Sequence, residues 1–181
     1  MRPATLILLL MTAIGLQAQS KTFTLNSSDV GGQATLQQVF NGFGCTGENL
    51  SPALNWSNAP EGTKSFAITM YDPDAPTGSG WWHWVVFDIP ASVSALPTGA
   101  GTPGKDGLPK GAIQGLTDYG VPGYGGPCPP EGHGLHRYIV TVHALDVGTL
   151  GLDAKTSAPM AGFNINAHSL AKASIIFYCE R

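Results

Sequence analysis

The sequence predicts a mainly β domain, a β-sandwich of two antiparallel sheets with one or two short helices near the C-terminus. Three observations point there. Short runs rich in β-branched and aromatic residues recur along the chain at 22–25, 36–40, 53–56, 66–71, 83–89, 138–144 and 174–178, each bounded by Gly, Pro, Asn or Ser. Several alternate with period two: Phe66, Ile68 and Met70 against Ala67, Thr69 and Tyr71, and Tyr138, Val140 and Val142 against Ile139, Thr141 and His143. Glycine (24) and proline (14) together exceed a fifth of the 181 residues, while charged residues make up only 12%, a composition of many turns and few long helices.

Strands with one apolar face must bury it against another layer, and a second antiparallel sheet is the economical partner for so many short strands. The single helical candidate lies within 156–172. There Met160, Phe163, Ala167, Leu170 and Ala171 fall near helical spacing, although Pro159 and Gly162 weaken its start. Residues 99–134 hold 18 of the glycines and prolines in 36 positions and show no strong periodicity. A loop of that length inside one domain is functional or disordered; Tyr119 and Tyr124, and its entry into a strand rich in histidine, favour function.

At the N-terminus, Arg2 precedes an apolar run over 6–16 and then Gln17-Ala18-Gln19-Ser20. This is the layout of a secretory signal over 1–18, with one mature domain over 19–181. The run is too short for a bilayer span of about 20 residues, so no transmembrane segment is expected after cleavage and the protein is expected to be periplasmic or secreted. Removal of Arg2 takes the net charge from −3 to −4. The basic residues are scattered singly, which argues against a nucleic-acid partner and against attraction to an anionic membrane surface. In an oxidising compartment the three cysteines, Cys45, Cys128 and Cys179, suggest one disulfide and one free thiol. Three pairings are open. Cys45 and Cys128 both lie in glycine-rich loops, which favours joining those two, whereas Cys179 sits in an apolar run and reads as a buried core thiol. Their spacing matches no zinc motif, and no cofactor motif is present.

Chemistry concentrates in two short blocks. One is Tyr71-Asp72-Pro73-Asp74-Ala75-Pro76, just after a strand, followed by Trp81-Trp82-His83-Trp84; the other is Gly132-His133-Gly134-Leu135-His136-Arg137-Tyr138, where the long loop enters a strand. Alternation along that strand puts His136 and Tyr138 on one face, able to line a pocket with His83, and Arg137 on the other, free to pair with Asp74. His133, His143 and His168 are read as ordinary core or surface histidines. Of the three tryptophans at 81, 82 and 84, at least one is expected to be core packing.

These two blocks, in this order, resemble the signature blocks of the phosphatidylethanolamine-binding protein family. Leu50-Ser51-Pro52-Ala53-Leu54-Asn55-Trp56 and Gly80-Trp81-Trp82-His83-Trp84 are similar to its bacterial Raf-kinase-inhibitor-like branch. The resemblance implies a pocket for phosphate, phosphorylethanolamine-like head groups or similar oxyanions. Carried over by motif position, its ligand-binding residues are Asp72, Pro76, Trp81, His83, His136 and Tyr138, with Cys128 on the rim, and Ala75–Pro76 is a candidate cis peptide. Imidazole and phenol hydroxyl groups can donate to phosphate oxygens. Asp72 is tolerable beside an anion if it orients a histidine or accepts from a protonated phosphate oxygen. Anion affinity should then fall as pH rises through the histidine range.

The function expected is therefore a non-catalytic, exported binder of a small phosphorylated or other anionic ligand. The resemblance leaves a protease inhibitor or other module engaging a secreted protein through the pocket rim as an alternative. A hydrolase using the Asp/His cluster is a second; it lacks a Gly-x-Ser-x-Gly elbow or a His-Glu-x-x-His motif in this sequence.

Overall fold

A computed structural model describes residues 21–181; the secretory signal expected over 1–18 lies outside the described residues. In chain order the strands are β1 (Thr24–Asn26), β2 (Asn41–Gly42), β3 (Cys45–Thr46), β4 (Leu54–Ser57), β5 (Ser65–Asp72), β6 (Trp81–Pro90), β7 (Ala95–Leu96), β8 (Ile113–Gln114), β9 (His136–Leu145) and β10 (Ser169–Cys179), with helix α1 (Ala158–His168) between β9 and β10. They form a five-stranded antiparallel sheet ordered β10-β9-β5-β6-β8, a three-stranded sheet ordered β1-β4-β7 and the small hairpin β2-β3.

The alternation seen in β5 and β9 is the sandwich itself. Phe66, Ile68, Met70, Trp84, Val86, Val140, Val142 and Phe177 from the large sheet meet Leu25, Leu54, Trp56 and Leu96 from the small one in a single core. The opposite face of the large sheet supplies Ala67, Val85, Phe87 and Leu145, which α1 covers with Ala158, Ala161 and Ile165. The central strands are thus buried on both sides, and β5 and β6 read almost continuously apolar for that reason.

Three expectations about elements are corrected. Residues 36–40 are a turn, not a strand: the amides of Gln38 and Val39 both donate to Thr35 O, and the buried Gln38 side chain accepts from Thr35 Oγ1 at 2.8 Å. The helix ends at His168, and Leu170 and Ala171 open a strand that starts five residues before the expected 174–178. Its buried side is Ala158, Ala161, Gly162 and Ile165, not Met160 and Phe163, which are exposed. Small residues let the helix lie close on the sheet, with Gly162 against the Trp82 ring. Cys179, expected in the core, is only partly buried at the end of β10.

The long segment 99–134 is built into the domain. It carries β8, buries Ala100 and Tyr124, and packs backbone to backbone on the 36–40 turn: a Cβ at Gly126 would collide with the carbonyl oxygen of Gln38, so only glycine fits there. Cys45 and Cys128 are disulfide-bonded, with Cα atoms 6.0 Å apart, tying this segment to the β2-β3 hairpin. Cys179 is the free thiol.

Candidate functional site

β6, β5 and β9 are neighbours in the sheet, so the C-terminal end of β5 and the starts of β6 and β9 meet at one edge. That edge brings together Asp72, Trp81, His83, His136 and Tyr138, and with Pro76 and Cys128 they line a cavity of about 190 Å³. The volume suits a small group such as a phosphate and falls below the roughly 300–1,000 Å³ of sites for drug-sized ligands. Phe43, Ala75, Thr77, Tyr119, Pro129 and Pro130 complete the wall. Tyr119 is held there because Asp118 pairs with Trp82, donating its amide to Trp82 O at 3.1 Å and accepting from Trp82 N at 2.7 Å.

Asp72 organises the floor. Its Oδ1 accepts from the amides of Asp74 (2.8 Å) and Ala75 (3.1 Å), which closes a turn after β5, and its Oδ2 accepts from His136 Nδ1–H at 2.7 Å. Both side chains are buried. With Nδ1 so engaged, His136 presents Nε2 as its one remaining nitrogen, and this meets His133 Nδ1 at 2.7 Å. His133, read from sequence as an ordinary histidine, is joined to the Asp72–His136 pair.

His83 differs from its expected role as a donor. Its Nδ1–H donates to Gly125 O at 2.8 Å, and burial is the main reason its pKa falls to about 4, so at neutral pH the ring is uncharged and offers Nε2 as an acceptor. Tyr138 stacks edge-on against His83 at 5.0 Å, and its hydroxyl is fully buried with no hydrogen-bond partner among the described residues. Burial pushes that phenol far above its ordinary range, so it is a proton donor at every physiological pH. The other hydroxyls in the wall are committed, Tyr119 to Gly126 O at 2.7 Å and Thr77 to Gly80 O.

Asp74 and Arg137 lie outside the cavity wall and pin the two blocks together. Arg137 Nη2 and Nε donate to Asp74 Oδ1 (2.7 Å) and Oδ2 (2.9 Å), and the Arg137 amide adds a third bond of 2.9 Å. The guanidinium hydrogen bonds hold the Asp74 carboxyl down at about 2. The Ala75–Pro76 bond is trans, a correction to the cis peptide implied by the resemblance; the described residues contain no cis bond. The Asx turn on Asp72, followed by Thr77 N donating to Ala75 O at 2.8 Å, makes the reversal without one. Among the described residues no group of three or more His, Cys, Asp or Glu side chains is placed to hold a metal ion. Of the tryptophans, Trp84 is core, Trp82 faces α1 and Trp81 is in the cavity wall.

Comparison with known proteins agrees with this architecture. The family model described as phosphatidylethanolamine-binding protein matches residues 26–180. The chain is 49% identical to YbcL of Escherichia coli K12 over 164 residues, covering 90% of each chain, and 55% identical to YbhB of the same organism over 139 residues, covering 77% of this chain and 87% of that one. The crystal structure of YbcL, described as a member of the mammalian PEBP family, superposes with a TM-score of 0.86 over 88% of this chain and 98% of its own. A homologue from Chlamydia trachomatis, 28% identical, gives 0.72 over 88% and 97%. The chain belongs to the phosphatidylethanolamine-binding protein family.

Proposed function

We propose that this protein is an exported, non-catalytic binder of a small anionic group, with a phosphorylated head group or free phosphate as the chemistry its pocket fits. The observation that carries the reading is Tyr138, a residue of the wall of a phosphate-sized cavity whose buried hydroxyl has no partner among the described residues. Leaving a buried hydroxyl unpaired costs about 1–3 kcal/mol, and an acceptor oxygen in the cavity would recover it.

The remaining groups suit an anion that arrives with a proton. No lysine or arginine lines the cavity, and neutral His83 offers a lone pair, which a P–OH group or a ligand ammonium can satisfy. His136 becomes a donor at Nε2 when protonated, and the Asp72 carboxylate is placed to stabilise that imidazolium. The wall has no activated nucleophile: Cys128 is in a disulfide, and the Thr77 and Tyr119 hydroxyls are given to carbonyl groups. The apolar run behind Arg2 and the disulfide favour export.

The test is an NMR titration of the mature protein with inorganic phosphate, phosphorylethanolamine and phosphatidylethanolamine vesicles, comparing wild type with His136→Ala. Shifts centred on His83, His136 and Tyr138, lost in the variant and weakening from pH 5.5 to 8.5, are expected. Their absence in wild type, or pH-independent affinity, refutes the reading. The three ligands separate free anion from lipid head group.

A further inference from the structure

His133 holds the one nitrogen of His136 that Asp72 leaves open. His136 is 1% exposed, its Nδ1 is bound to Asp72, and its Nε2 is bound to His133 Nδ1 at 2.7 Å. A ring nitrogen has a single in-plane hydrogen-bonding position. Every hydrogen-bonding position of His136 is therefore occupied from within the protein. An oxyanion in the cavity can reach Nε2 only by taking the place of His133, which is not itself among the residues of the cavity wall.

His133 is also built to leave. It is exposed, and it stands between Gly132 (φ +73°) and Gly134 (φ +90°), each with open space where a side chain would be. The turn beneath is anchored independently of the imidazole: His133 N donates to Pro130 O at 3.1 Å and Gly132 N to Arg181 O at 2.9 Å. The ring can rotate away while the turn holds. Resting on the anion-pocket reading above, we propose that His133 sets the affinity of the site by occupying His136 Nε2 in the free protein and swinging aside to release it to the ligand.

The experiment titrates inorganic phosphate, at one fixed pH, into wild type, His133→Ala, His133→Asn and His136→Ala, following binding by NMR. His133→Ala should bind about fivefold more tightly, the value of one net competing hydrogen bond. His133→Asn, whose amide nitrogen can take the position of Nδ1, should stay near wild type. An alanine variant that binds equally or more weakly overturns the proposal, the weaker result making His133 a ligand contact instead. A ligand-free measurement stands beside it: diethyl pyrocarbonate should modify His136 faster in His133→Ala, and an unchanged rate overturns the proposal. If His136→Ala binds phosphate as wild type does, or no variant binds, the pocket reading falls and the gate with it. If His136→Ala loses binding and His133→Ala is not tighter, the gate alone falls. His133 is exposed in a turn, so its replacement leaves the fold intact, which the urea midpoint checks.

Discussion

Lowering the pH from 7 to 4.5 should destabilise this protein by charging histidines that the fold keeps neutral, and His143 shows how much each is worth. It lies on the face of β9 that α1 covers, 5% exposed, with Nε2 against Thr69 Oγ1 at 3.2 Å and Nδ1 against Ser169 Oγ at 3.3 Å. Burial first, and the Lys172 charge second, bring its pKa from 6.5 down to about 4. The unfolded chain takes up this proton near 6.5 and the folded protein only near 4, so between those values the unfolded state binds more protons and acid favours it. The stabilisation is complete above the unfolded value and is lost as pH falls toward the folded one. With those two values, the loss between pH 7 and 4.5 is about 2 kcal/mol for one such group.

The perturbation that isolates it is His143→Gln, which can keep both hydrogen bonds but does not titrate. Urea unfolding at pH 7, 6, 5 and 4.5 should show wild type losing about 2 kcal/mol more than the variant, a difference of about 1 M in midpoint at a typical slope. The level at pH 7 is immaterial; the slope is what is read. His83, also lowered to about 4 by burial, should remain as residual acid sensitivity in His143→Gln. Parallel pH profiles for the two proteins would mean that folded His143 titrates near its ordinary value, and the burial argument would be wrong.

Three further outcomes follow from single contacts. Tyr138→Phe removes the unpartnered hydroxyl, so urea unfolding should find the ligand-free protein unchanged or stabilised by up to about 1 kcal/mol, while phosphate affinity falls several-fold; a destabilised variant with unchanged binding contradicts this. Replacing Cys45 and Cys128 together by serine opens a link across 83 residues of sequence, which should cost about 4 kcal/mol by loss of loop constraint, read as a lower urea midpoint. Gly126→Ala places a Cβ against the Gln38 carbonyl, and since backbone on both sides must move, the loss should be about 2 kcal/mol or more by the same assay.

What the sequence made legible follows from where side chains point. His136 and Tyr138 stand at the start of β9, where alternation put them on one face and Arg137 on the other, free for Asp74. β5 and β6 are buried on both faces, so Asp72 and His83 were placed by their motif blocks and not by a strand pattern. Phe43 and Tyr119 reach the cavity from loops, carried there by the disulfide and by Asp118 on Trp82, and no local pattern encodes those contacts. His133 lies in a turn between glycines, where nothing fixes a side chain's direction in advance; its three-residue spacing from His136 was the only available signal. The helix misled in a different way. Its buried face is made of Ala158, Ala161, Gly162 and Ile165, a weaker apolar signal than the exposed Met160 and Phe163.

The scarcity of charge has a consequence at the site. Arg137 is the cation closest in sequence to His136, and it is turned to the opposite face and spent on Asp74. Arg181, also near the rim, donates to Phe43 O at 3.2 Å and lies 3.3 Å from Cys45 Sγ and 3.5 Å from Cys128 Sγ. Neither lines the cavity, while the carboxylate of Asp72 does. Two permanent cations are thus held away from a place proposed to take an anion. An arginine in the cavity would hold an anion with a fixed charge and a bidentate fork; His136, backed by Asp72, has a single ring nitrogen to give. Such a site suits capture that must be reversible, and His133, competing for the same nitrogen, makes release easier still.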